Sequence, residues 1–192
     1  RRVFPDEPAS VARPRVEEAL SVALPLFQFG YKLPGTAPRG EKDLAAAEVL
    51  LEVLASEASP LFRRLLDSGL VNESSFASEF FEGEGYATLM FGGESNDPEA
   101  VAAAITEELL RLRQEGIDPA AFERSRRSLY GQNLAALNST ASIANAILSL
   151  TFKGRELFSY IHALAGITVA DVEQFLAGLP LEQQVLSIVK PL

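Results

Sequence analysis

Between Ser75 and Phe91 two β-type runs are separated by Gly83-Glu84-Gly85. The first carries Phe76, Phe80 and Phe81. The second sets Tyr86, Thr88 and Met90 on one face against Ala87, Leu89 and Phe91 on the other, so it is apolar on both sides. Two such runs joined by a short Gly-containing loop predict a β-hairpin. Apolar character on both faces predicts central strands with helices laid against them. Two more strands follow from the same alternation, at residues 19–29 and 184–190, beside the hairpin strands at 75–82 and 86–92. Pro25 falls inside the first of these, which marks an edge strand or a bulge.

Elsewhere a helical period takes over. Leu44, Ala47, Leu51 and Leu54 form a stripe from Lys42 to Ser56, and a short helix over Pro60 to Ser68 stops at Gly69. Asn96-Asp97-Pro98-Glu99 reads as a helix start, a capping side chain followed by Pro in the first turn. That helix runs to Glu115 with Val101, Ile105, Leu109 and Leu112 inward, and Gly116 ends it. Asp118-Pro119 repeats the signal for residues 120–137, and further helices are predicted at 141–150, 156–164 and 168–178. Four strands with six or seven helices give an α+β domain: a mostly antiparallel sheet with helices packed on one face. Residues 1–15, dotted by Pro5, Pro8 and Pro14, read as a linker or extended edge segment, and residues 16–192 as one domain.

Composition narrows the function. Apolar residues make up 47% of the 192, enough for a substantial core. Lysine plus arginine is 17 and aspartate plus glutamate 26, a net charge of −9, which argues against nucleic-acid and anionic-membrane partners because phosphate binding needs basic patches. Cysteine is absent, so no disulfide framework and no thiolate chemistry exist. No run approaches the roughly 20 apolar residues of a membrane helix. The expected compartment is the cytoplasm. The only methionine is Met90, and the chain is expected to be a piece of a longer protein.

Candidate chemistry is sparse. His162 is the only histidine, so a His-rich metal site is excluded and a structural helix position is the better reading. No serine lies in a nucleophile elbow, and Gly83-Glu84-Gly85 and Gly92-Gly93 lack the spacing of a phosphate loop. Glu79, Glu82, Glu84 and Glu94 gather round the hairpin, where solvated rim charges are favoured over an acid/base pair. Arg124, Arg126 and Arg127 are expected to pair with neighbouring acids, and Asn138-Ser139-Thr140 matches a glycosylation acceptor by chance.

The order of motifs carries more than any one of them. Ser59-Pro60-Leu61-Phe62, Leu65-Leu66 and Gly69-Leu70 are followed by Phe91-Gly92-Gly93-Glu94-Ser95-Asn96-Asp97-Pro98. Gly131-Gln132-Asn133 with Asn138, and a closing Ser187-Ile188-Val189-Lys190-Pro191, come after. From about Ala19 onward this resembles the C-terminal, inactive domain of the pitrilysin/insulinase zinc peptidases, closest to the bacterial processing-protease-like branch. The resemblance implies a half-domain like those of mitochondrial processing peptidase. Two or more such domains enclose a peptide chamber, and zinc sits on an inverted His-x-x-Glu-His of the N-terminal domain, a motif this chain lacks. No cofactor is expected in this half.

The expected partners are the zinc domain of the same chain, a homologous subunit or a second copy, and a peptide substrate. In active relatives a non-zinc domain supplies an Arg and a Tyr that hold the substrate carbonyl. Those positions fall here at Leu66 and Asn72, so the pair is missing, and Arg63 or Arg64 are the substitutes within reach. A partner subunit carrying the pair is the other solution. The resemblance therefore implies a non-catalytic domain that closes a peptide chamber. The alternatives are a purely structural core-type subunit and a stand-alone dimerising domain.

Overall fold

The structure is a computed structural model that describes residues 6–35, 40–83 and 85–192. Five strands form one sheet: β1 (Arg15–Leu20), β2 (Leu26–Pro34), β3 (Ala77–Gly83), β4 (Tyr86–Glu94) and β5 (Gln184–Pro191). Their order is β1-β5-β2-β4-β3. Every neighbouring pair is antiparallel except β1 with β5. Seven helices complete the described residues: α1 (Glu41–Ala55), α2 (Pro60–Asp67), α3 (Pro98–Glu115), α4 (Pro119–Ala136), α5 (Thr140–Phe152), α6 (Leu157–Gly166) and α7 (Val169–Ala177). The mixed α and β content and a mostly antiparallel sheet with its helices on one face are as the sequence pattern predicts.

Three expectations are corrected. The strand expected over residues 19–29 is two strands, β1 and β2, broken at Ser21–Pro25. Proline has no N–H to give a ladder, so the sheet stops there, and the Pro25 carbonyl instead accepts from the Ser95 N–H at 3.0 Å. The edge assignment also moves, since β2 lies inside the sheet between β5 and β4 while β1 is an edge. Finally, only β4 of the hairpin is interior. β3 is the opposite edge.

Five of the seven helices, α2, α3, α4, α5 and α7, start at a side-chain cap. Ser59 Oγ accepts from Phe62 N at 3.0 Å ahead of Pro60, and Asp97 accepts from Ala100 N at 3.0 Å ahead of Pro98. Asp118 does the same for α4, and Thr168 with Asp171 forms a reciprocal capping box for α7. Gly69 and Gly116 end α2 and α3 with φ of +69° and +82°, a region that favours glycine.

The core lies between the sheet and α1. Phe27, Phe29, Tyr31 and Leu33 of β2 point into it with Ala87, Leu89 and Phe91 of β4 and Leu186 and Ile188 of β5. Helix α1 is buried far beyond one stripe, from Ala45 to Ala47 and through Val49, Leu50, Leu51, Val53 and Leu54. It packs on the sheet and is itself flanked by α4, α6 and α7, which is why one apolar stripe understates it. Burial pushes the Tyr31 hydroxyl up to about 12, although its 2.7 Å hydrogen bond with Thr106 of α3 works the other way.

Candidate functional site

Because side chains alternate along a strand, burying one face of the sheet leaves the other to be accounted for. The register puts Val16, Leu26, Tyr86, Met90, Val185 and Val189 on the face away from the helices. Val16 and Leu26 are each 39% exposed, and Phe81 on β3 is 46% exposed with its ring 6.3 Å from that of Tyr86. This is a sheet face that no described helix covers, with apolar side chains interleaved among Glu18, Lys32, Glu79 and Glu94 of the same face.

Residues Glu7 to Pro14 cross one side of it. Lys32 pairs with Glu7, the Val11 N–H donates to Gln183 Oε1 at 3.0 Å, and Leu186 N donates to the Pro14 carbonyl at 2.9 Å. Between this strap and the sheet runs a groove of about 600 Å³ with Met90, Tyr86, Thr88 and Val185 on its floor and Lys32 and Arg13 at its side. Gly30 lets the floor close up, since a Cβ there would stand 2.6 Å from the Leu89 carbonyl oxygen. The arrangement offers a largely apolar trough whose margin carries Arg13 and the Lys32–Glu7 pair, a shape that accommodates a chain segment rather than a small compact ligand.

The sequence-derived site residues lie elsewhere. Arg63 and Arg64 stand on α2, whose Leu61, Phe62 and Leu65 are buried in the helical layer. Arg64 donates to Glu108 Oε2 at 2.8 Å, while the Arg63 side chain is exposed and makes no hydrogen bond or ion pair among the described residues. Leu66 is partly buried against the core. Asn72 is committed to structure: its Nδ2 donates to Glu94 Oε2 at 2.8 Å and its Oδ1 accepts from Ser75 N at 2.8 Å. His162 is exposed on α6. Arg126 and Arg127 both pair with Glu123, as expected, while Arg124 is exposed and makes no ion pair among the described residues.

The hairpin carboxylates need one correction. Glu94 and Glu79 lie at the rim, and Glu84 lies outside the described residues, but Glu82 is buried. Its side chain, 5% exposed, takes two hydrogen bonds from Arg155, at 2.5 and 2.9 Å, and Arg155 is 3% exposed. Next to this pair Tyr160 donates to Glu48 of α1. Burial pushes the Glu48 carboxyl up; the Tyr160 bond and Arg155 work the other way and do not cancel it. Burial also pushes the Tyr160 hydroxyl up, reinforced by the Glu48 charge.

A sequence reading passes over Glu48, Tyr160 and Arg155. The one available signal was a glutamate set among alanines, valines and leucines on the buried side of α1. With both carboxylates engaged by an arginine and a tyrosine, this cluster has no free donor set for a metal. No group of three His, Asp or Glu side chains at ligand spacing occurs among the described residues. The donors present do not fit zinc.

Comparison with known proteins agrees with this architecture. The family model for the peptidase M16 inactive domain matches residues 1–129. An uncharacterized zinc protease of Bacillus subtilis (strain 168), YmfH, is 29% identical over 170 residues, 87% of this chain and 39% of the relative. A solved structure from Alicyclobacillus acidocaldarius, described as M16-like, superposes with a TM-score of 0.91 at 26% identity, over 100% of this chain and 46% of that one. The inactive peptidase domain of a Bordetella parapertussis protein shares the fold, with a TM-score of 0.74 at 16% identity, over 90% of this chain and 95% of that one. The chain thus spans less than half the length of the first two. It belongs to the peptidase M16 family, as an inactive domain of that family.

Proposed function

We infer that this chain is the non-catalytic half of a zinc-peptidase-like protein, and that its uncovered sheet face forms one wall of a peptide chamber closed by a zinc-bearing half. The observation that carries the reading is the uncovered face itself, with Val16, Val185, Val189, Leu26, Tyr86 and Met90 spread across β1, β5, β2 and β4 and a groove beneath the strap. An extended peptide would lie against Met90, Val185 and Tyr86. Zinc would be held by the other half, since the donors here are lacking or engaged. Arg63 is the α2 cation left available to a peptide carbonyl, Arg64 being held by Glu108.

The test is a charge placed on the trough floor. In the full-length protein, Met90→Glu or Val185→Glu should raise the KM for peptide cleavage about tenfold or more with zinc content unchanged, because desolvating a carboxylate against an apolar chain costs more than about 1.4 kcal/mol. Leu110→Glu, on an exposed position of α3, should leave KM alone. An unaltered KM in both floor variants would remove the sheet from the binding surface.

A further inference from the structure

From Gly131 to Phe152 the chain runs twenty-two consecutive residues without a charged side chain, in a protein that is 22% charged. That run is the last part of α4 and the whole of α5. Such a stretch is ordinarily core, yet α5 has no buried residue. Leu148 is 54% exposed and Phe152 85%, one turn apart, with Ile147 beside them, and Leu134 of α4 and Phe158 of α6 are also exposed. Helix α5 touches the rest of the fold chiefly through α6. Its start is capped by Ser139, and its end turns at Gly154, φ +70°, before Arg155 ties the chain to Glu82. The helix is thus well bounded at both ends and unsupported along its length.

Its position says what covers it. Glu82 lies three residues from Gly85, at the β3–β4 turn, and the Cβ of Glu7 lies 3.3 Å from where a Cβ of Gly85 would stand. The strap leading into β1 therefore arrives at the same end of the sheet to which α5 is moored. Relatives carry more than a second half-chain beyond the part matched here, and a half joined through that strap is held beside α5. No single described helix is long and apolar enough to cross a membrane, and α4 with α5 passes by length and composition only as a pair bent by 111°; the charged Glu123, Arg124, Arg126 and Arg127 within α4 disfavour that use. We propose that the exposed face formed by α5 and the end of α4 is the docking surface for the zinc-bearing half of the same protein, received as an apolar helix or loop face. The proposal rests on the functional reading above for the identity of the partner.

Hydrogen exchange on the full-length protein, with bound zinc measured on the same sample, tests it. In the monomer the α5 amides should be protected. Leu148→Asp with Phe152→Asp should lower that protection about tenfold or more and expose a matching segment of the zinc half. The α1 amides should be unchanged, which shows that this half still folds. Equal exchange of α5 in wild type and variant overturns the proposal. Protection that disappears on dilution also overturns it, because a second copy is then the cover. Zinc bound with α5 unprotected would sink this inference alone. Protection by the upstream half without zinc would uphold the docking surface and remove the peptidase reading instead.

Discussion

Replacing Arg155 by Met should be among the most damaging single changes in this domain. The guanidinium and the Glu82 carboxylate are 3% and 5% exposed and joined by two hydrogen bonds. At about 3 Å with an effective dielectric of about 20, the Coulomb attraction is about 5 to 6 kcal/mol, and most of it offsets the desolvation of both ions. Intact, the pair therefore contributes little net stability. Removing only the arginine takes away the guanidinium that holds the buried Glu82 carboxylate through two hydrogen bonds, beside Glu48, and loss of one partner of such a pair costs about 3 to 5 kcal/mol. Urea unfolding followed by circular dichroism should show that loss at neutral pH. The double change Glu82→Leu with Arg155→Met should regain most of it, since an apolar pair of similar volume removes both desolvation terms. A single variant within about 0.5 kcal/mol of wild type, or a double variant no better than the single, would refute this account of the pair.

Three further outcomes follow from the same geometry. Because burial raises Glu48, the folded state binds its proton more tightly than the unfolded chain, so this group's contribution to stability falls as pH rises through the interval from the ordinary glutamate pKa up to its raised value. Glu48→Gln, which still accepts from Tyr160, should flatten that fall in a pH series of melting temperatures; an unchanged slope refutes it. Gly30→Ala should destabilise by about 1 to 3 kcal/mol, since the atom in its way is the Leu89 carbonyl and backbone must shift, and a neutral result would mean that β2 and β4 can part freely. Arg63→Ala should reduce kcat/KM for peptide about threefold or more in the full-length protein while Arg64→Ala mainly loosens α2 from α3; equal, negligible effects would retire both arginines as substrate contacts.

Local chemistry was readable and long-range pairing was not. Ser59-Pro60, Asp97-Pro98 and Asp118-Pro119 mark helix starts because cap and proline act within one turn, and Gly69 and Gly116 mark the ends for the same reason. The hairpin was legible from its loop. The place of β5 between β1 and β2 was not, because it joins residues some 170 apart in the chain and no local preference records it. The Pro25 break was visible, but its consequence, two strands on different sides of β5, depends on that same insertion. Arg155 and Glu82, 73 residues apart, were hidden likewise. The candidate site was half legible: the apolar outer positions of β4 were seen, and read as a second helix-covered face. They belong to a face left open within this half.

The most direct test of the central reading separates the two halves. The zinc content and peptide-cleaving activity of the upstream half should be measured alone and after addition of residues 1–192. The account predicts close to one zinc on the upstream half, little cleavage without this domain, and recovery of cleavage when it is added. Full cleavage by the upstream half alone, or zinc held by residues 1–192, would contradict it.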